Sequence, residues 1–406
     1  MARITLADCQ DAWQVIRSQV RHTPTKRSTS LAQVTGAEEM HLKLENFQRT
    51  GSFKVRGALY KLHRMGADER AGGVVAASAG NHAQGVAYAA AKAGVRSTIF
   101  MPEEATLAKV VATRSYGAEV RLVGRDYQEA YEHAREHQRK SGATFVHAFD
   151  DPHVMAGQGT LGIELMQDLP QLDTVLVPIG GGGLISGIAT AVKALKPDIR
   201  VVGVQAEGAS TIAPSLQKGE PVRLEHVETM ADGIAVRRVG EHTYPVIREL
   251  VDEVVTVTEG EIAAAILFLI ERAKAVAEGA GAVSLAAAMH RKVDLEGRKA
   301  CAVVSGGNID MTLVSRILRM GLVKAGRIAV ITTVLPDRPG SLAAFLALLA
   351  KHKASVMDLH HDRDRTDLTL NRAVVEVHAE TRGPEHIDEI CRALRQAGYD
   401  ARLASA

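Results

Sequence analysis

Apolar and polar positions follow two regimes along the chain. Through residues 1–325, short apolar runs alternate with Ala-rich helical stretches. GGVVAAS (72–78) reads as a strand, and NHAQGVAYAAAKAG (81–94) as a helix ended by Gly94. RSTIFMP (96–102) and AEVRLVG (118–124) read as further strands. TVLVPIG (174–180) predicts a strand, followed by a helix from about Leu184 to Leu195 and the strand IRVVGVQAE (199–207). KACAVVSGG (299–307) is a late strand. Repeated strand–helix–strand order predicts an α/β fold, with parallel sheets covered by helices on both faces.

After about residue 325 the order changes. RIAVITTVLPDRPGSLAAFLALLAKHKASVMDLHHDRD reads as strand, turn, helix, strand, and RAVVEVHAE as a third strand. EHIDEICRALRQAG reads as a helix and YDARLA as a last strand. This βαββαβ order is that of a ferredoxin-like unit. Its first turn, Pro336-Asp337-Arg338-Pro339-Gly340, is a loop by composition, with Ser341 expected to cap the next helix.

Composition narrows the classes. A chain of 406 residues suggests two or three domains, and a net charge of +2 implies no strong field. With no basic cluster carrying interleaved aromatics, nucleic acid is not the expected partner. Cys9, Cys301 and Cys391 are far apart and form no ligand pattern, which fits a reducing cytoplasm. MARITLADCQDAW lacks the apolar stretch of a signal peptide. The longest apolar run, Ile262 to Ile270, stops at Glu271-Arg272, far short of a membrane span.

Two features suggest chemistry. Gly180, Gly181, Gly182 and Gly183 lie between a strand and a helix. There they can turn backbone N–H groups inward at the helix's positive end, forming a phosphate cup. A dinucleotide stays open at this point. Ser186 stands where a third fingerprint glycine belongs, but Glu207 ends the next strand like a ribose-binding acid. No Gly-Lys-Ser/Thr follows, so the loop is not a Walker A motif. The second feature is Lys54, near the start of a helix with Val55, Leu59 and Leu62 on one apolar face and Ser52 as the expected cap. The helix dipole and the apolar surface beside Phe53 both disfavour its charge, and a neutral lysine can form a Schiff base. An exposed surface lysine is the competing reading.

SFKVRGA resembles the Schiff-base lysine motif of the fold-type II pyridoxal-phosphate (PLP) enzymes. SAGNHAQGVA (78–87), PIGGGGLISG (178–187) and VVSGGN (303–308) are similar to three further motifs of that family, in the same order. TMADGIAVRRVG (229–240) most resembles the threonine/serine dehydratase branch. The resemblance implies two α/β lobes over residues 1–325, the smaller at about 50–150. It implies that Lys54 carries PLP and then takes the substrate Cα proton, and that Phe53 packs against the pyridine ring. Asn81 would bond the ring hydroxyl. Gly180, Gly181, Gly182, Gly183 and Leu184 would hold the phosphate, and Ser305 would face the ring nitrogen. Ser78, Gly80, Asn81 and His82 would grip the substrate carboxylate, although His82 could equally be a satisfied core histidine. A serine hydroxyl leaves the ring nitrogen largely unprotonated and so favours prompt loss of the β-hydroxyl. The expected reaction converts L-threonine to 2-oxobutanoate and ammonia, with L-serine as a second substrate.

Two departures matter. Racemising relatives carry a serine where this chain has Ala79, so little racemisation is expected. Some relatives bind a divalent ion through an acid at the Glu207 position and another six residues on, but here that second position is Ala213. Residues 326–406 resemble an ACT domain, with Asp337 to Leu342 matching its ligand loop. This implies an amino-acid effector, isoleucine or valine first, or else a module that only joins protomers. A homodimer or homotetramer is expected. A serine or 3-hydroxyaspartate ammonia-lyase on the same scaffold is the near alternative, and a non-catalytic amino-acid sensor the distant one.

Overall fold

The computed structural model describes residues 3–364 and 371–403. It divides into two units, one ending at Ile309 and one beginning at Asp310. The helix Met311–Lys324 falls in the second unit and packs on its first strand.

The first unit holds two sheets. The larger runs in the order β1 (Thr25–Arg27), β2 (Glu39–Leu44), β10 (Lys299–Val304), β7 (Thr174–Pro178), β8 (Arg200–Ala206), β9 (Glu253–Val257). Only the β1–β2 pairing is antiparallel. β7 is buried at every position, as its unbroken apolar run requires for a strand covered on both faces. The smaller sheet is parallel throughout, in the order β5 (Glu119–Leu122), β4 (Ser97–Met101), β3 (Val74–Ala77), β6 (Thr144–Phe145). The mixed α/β architecture expected from the chain's alternation is therefore present.

Three helices bring the chemistry together. The helix Lys54–Arg64 packs against Asn81–Ala93 and against Pro152–Asp168. The second contact is so close that a Cβ on Gly157 would meet the Cα of Gly57 at 2.6 Å. Asp151 caps the Pro152–Asp168 helix, its carboxylate accepting the N–H groups of His153 and Val154.

In the second unit the order is β12 (Ser355–Asp362), β13 (Arg372–Glu380), β11 (Ile328–Pro336), β14 (Arg402–Leu403), all antiparallel. Helices Ser341–Lys351 and Pro384–Gln396 complete the βαββαβ order. Burial alternates along β11 and β13, and Ile331, Leu335, Phe345, Val375, Val377 and Leu394 form the core. Ser341 does not cap its helix. It is the first helical residue, and Gly340, with φ +91°, occupies the cap position without a side-chain bond. Among the described residues no helix is long and apolar enough to cross a membrane.

Candidate active site

Lys54 opens its helix, with Phe53 at the cap position. The expected cap, Ser52, makes no capping bond. The Phe53 N–H instead donates to the Ser305 carbonyl at 3.1 Å, and Ser52 forms an isolated bridge with Gly306. The loop after β10 thus fixes the start of the lysine helix and places Phe53, Lys54 and Ser305 side by side.

Lys54 Nζ donates to the Ala148 carbonyl at 2.9 Å and lies 5.2 Å from the centre of the Phe53 ring. Burial lowers its pKa to about 8, opposed by the negative field of Glu278. Desolvation, the apolar half of the expected reason, is the leading cause. An amine so placed has an appreciable neutral fraction near physiological pH.

Glu278 precedes the helix Gly279–Met289 and is buried. It accepts a hydrogen bond from Asn81 Nδ2 at 2.6 Å. Burial and then the charge of Asp232 raise its pKa to about 7. Asn81 Oδ1 in turn accepts from Asn308 Nδ2. Gly306 leaves room for this carboxyl: a Cβ there would meet Glu278 Oε1 at 2.3 Å and displace it. Lys109, on the helix Leu107–Ser115 next to the small sheet, pairs with Asp232 at 2.8 Å. Reading the sequence missed Glu278 and gave Asn308 no role. A carboxyl directly before a Gly/Ala-only helix start was the signal available for Glu278.

The glycine run forms the expected cup at the N-terminus of the helix Gly183–Leu195. Among the described residues, the N–H groups of Gly180, Gly181, Gly182, Gly183 and Leu184 have no main-chain acceptor. Gly182 has φ +95°, and a Cβ there would strike Ile247 and Thr243 at 2.7–2.9 Å. Ile234, from the TMADGIAV segment, backs Gly180, where a Cβ would meet its Cα at 3.0 Å. The Ser305 hydroxyl is buried and donates to the Ala280 carbonyl at 3.3 Å.

Ser78 Oγ accepts the Gly80 N–H at 3.1 Å, shaping the turn into the Asn81 helix. Ser78, Ala79 and Gly80 are half-buried, while Asn81 and His82 are buried. The His82 ring binds the Val146 carbonyl at 2.8 Å, and burial followed by the Lys54 charge pushes its pKa down to about 3. His82 is thus a neutral ring tied to the residue after β6, with its backbone at the head of the helix. Glu207 is exposed at the end of β8, and among the described residues no group of three His, Cys, Asp or Glu could hold a metal ion.

These residues fit the cofactor that the resemblance implies. Orphaned N–H donors at a helix N-terminus suit a phosphate, and a desolvated lysine suits an aldehyde. Buried hydroxyls of Thr50 and Ser52, just before Lys54, have no protein partner in this structure.

Comparison with known proteins agrees. Residues 16–306 match the family model described as pyridoxal-phosphate dependent enzyme. The chain is 48% identical over 400 residues to an L-threonine ammonia-lyase of Thermotoga maritima, covering 98% of this chain and 99% of that one. It is 49% identical over 391 residues to an L-threonine ammonia-lyase of Geobacter sulfurreducens, covering 96% and 97%. The processed form of threonine deaminase isoform 2 from Solanum lycopersicum superposes with a TM-score of 0.73 at 36% identity, over 78% of this chain and 92% of that one. Maize serine racemase superposes with a TM-score of 0.74 at 33% identity, over 80% and 99%.

Proposed function

The chain belongs to the pyridoxal-phosphate dependent enzymes, and on that premise we propose that it removes ammonia from L-threonine to give 2-oxobutanoate, with Lys54 as the catalytic residue. The observation that carries the reading is the pairing of a desolvated lysine with a cup of unspent N–H donors, in a chain alike over nearly its whole length to two threonine ammonia-lyases.

When bound, PLP supplies an electron sink for charge developing at the substrate Cα. The protein's own groups do the rest. The N–H groups of Gly180 to Leu184 would hold the phosphate, and Phe53 would pack on the ring. Asn81 would bond the ring hydroxyl, and Ser305 would offer the ring nitrogen a neutral partner. The turn from Ser78 to His82 receives the substrate carboxylate at the head of its helix. Lys54, whose pKa burial lowers to about 8, would take the Cα proton. The β-hydroxyl would leave with a proton as water, and the enamine product, once free, would take up water to give 2-oxobutanoate and ammonia. Ala79 cannot deliver a proton to the opposite face, so elimination outruns racemisation; rapid wash-in of deuterium with inversion of serine would contradict this.

L-Serine is the second substrate, because a methyl group contributes only about 1–3 kcal/mol of discrimination in a pocket. The C-terminal unit binds an amino-acid effector at residues 337–342, where Arg338, Pro339 and Gly340 are exposed at the head of a helix. Isoleucine is the first candidate, acting in an oligomer of two or four chains. The test is ketoacid release from L-threonine, L-serine and threo-3-hydroxyaspartate, each with and without isoleucine. Threonine should be the best substrate. Turnover of 3-hydroxyaspartate alone would overturn the substrate assignment, and calorimetry without any amino-acid binding would overturn the effector.

A further inference from the structure

The segment after β6 touches both ends of the cofactor site. The Ala148 carbonyl accepts from Lys54 Nζ at 2.9 Å. The next residue, Phe149, lies against the cup: a Cβ on Gly181 would meet its ring at 2.3 Å, and one on Gly183 would meet its backbone at 2.9 Å. The residue after that, Asp150, accepts the N–H groups of Glu241 at 3.0 Å and His242 at 2.8 Å. Its carboxylate also lies 3.3 Å from His242 Nδ1. It presses on Gly240, where a Cβ would meet Oδ1 at 2.3 Å.

The 240s segment leads back to the cup. The Gly181 carbonyl accepts both the Gly240 N–H at 3.2 Å and the Thr243 hydroxyl at 2.7 Å. On the near side, His147 Nδ1 accepts the N–H groups of Phe149 at 3.3 Å and Asp150 at 2.9 Å. Burial holds the His147 pKa below the ordinary imidazole value, so this nitrogen stays an acceptor. The four residues 147–150 are therefore pinned at one end by His147 and at the other by Asp150. Between those pins they set where the lysine amine and the phosphate cup lie relative to one another.

We propose that Asp150 is a positioning residue that staples residues 148–150 to residues 240–243 and thereby fixes the spacing between Lys54 and the N–H cup. A ligand that engages both ends depends on that spacing, whereas a ligand that engages only the lysine does not. The inference rests on the assignment of Lys54 and Gly180–Gly183 to the cofactor. That assignment is checked separately: wild-type protein must bind PLP, and Lys54→Ala must lose the visible absorbance of the lysine-bound aldehyde.

The experiment measures dissociation constants of PLP and of pyridoxal, which lacks the phosphate, for apoprotein of wild type, Asp150→Ala, Asp150→Asn and Gly240→Ala. Leaving two N–H donors without their charged acceptor should weaken PLP binding about tenfold or more in Asp150→Ala. Pyridoxal binding should change less than about twofold, because one-point attachment does not use the spacing. Gly240→Ala, which pushes the carboxylate off its seat, should show the same selective loss. Asp150→Asn, with one acceptor oxygen retained, should recover part of the PLP affinity. If Asp150→Ala does not fold, Gly240→Ala and Asp150→Asn carry the same comparison. Equal weakening of PLP and pyridoxal would overturn the proposal. So would PLP affinity within about twofold of wild type in the folded variants, since a lost charged hydrogen bond must register.

Discussion

Two cations sit two positions apart at the start of one helix, and their surroundings differ. Arg56 is fully buried between two carboxylates. It meets Glu45 through Nε and Nη2, each at 2.8 Å, and Glu164 through Nη1 at 2.7 Å and Nη2 at 3.0 Å. Lys43 completes the network, 3.0 Å from Glu164 and 2.9 Å from Asp168. Burial alone would lower the Arg56 pKa, but Glu45 and then Glu164 hold it above its ordinary value. Lys54 has a neutral carbonyl as its hydrogen-bond acceptor, and its pKa falls to about 8. The carboxyl that opposes this shift, Glu278, is itself drawn up to about 7. Buried charges that are fully paired hold a structure in place, whereas buried groups left short of partners sit near neutrality and can move protons.

Substitutions can break this contrast. Lys54→Ala should reduce threonine turnover by about 10³-fold or more, since one group serves as cofactor anchor and base. Ketoacid release measures it, and near-normal turnover would contradict the role. Arg56→Met should cost about 3–5 kcal/mol of stability by leaving Glu45 and Glu164 without their partner, read as a lower unfolding midpoint. An unchanged midpoint would show that the network is not what holds the helix.

The poised pair should also show itself in the pH dependence of apoprotein stability. The native Glu278 binds its proton more tightly than in the unfolded chain, where the pKa is near 4.5. Between that value and about 7 the native state therefore holds the extra proton, and stability falls as pH rises. Glu278→Gln should flatten that decline. The native Lys54 gives up its proton more readily, so stability should rise with pH between about 8 and 10.5, and Lys54→Met should remove the rise. The smallest effect concerns the second unit. Asp337 pairs with Arg363 at 3.2 Å on a mostly exposed arginine, and Asp337→Ala should shift stability by less than about 1 kcal/mol. A larger shift would mean that this loop carries structural weight of its own.

How much of this was legible depended on whether the signal was local. The turn at 180–183 was legible because four consecutive glycines mark a strand–helix junction, and the strands were legible because β7 and β8 are mostly apolar, with VLV and VVGV at their centres. Lys54 became a strong candidate only through the company of the other motifs. The errors share a cause. Ser52 and Ser341 look like caps by type, but the chain uses Phe53, tied to Ser305 from the far end of the sequence, and Gly340, chosen for its left-handed φ. Nothing local marks Lys43, Glu45 and Arg56 as a network, because Glu164, which pairs with Lys43 and Arg56, lies 108 residues beyond Arg56. The Gly/Ala-only helix start marks Glu278 but not its partner Asn81, and nothing local marks Asp150, whose acceptor contacts with Glu241 and His242 only the fold supplies.

The most direct measurement is to reduce the purified protein with borohydride in the presence of PLP and map the adduct by mass spectrometry. A single phosphopyridoxyl group on Lys54, absent from Lys54→Ala, is the predicted result. An adduct on another lysine, or its persistence in Lys54→Ala, would contradict the assignment of Lys54 as the cofactor's anchor.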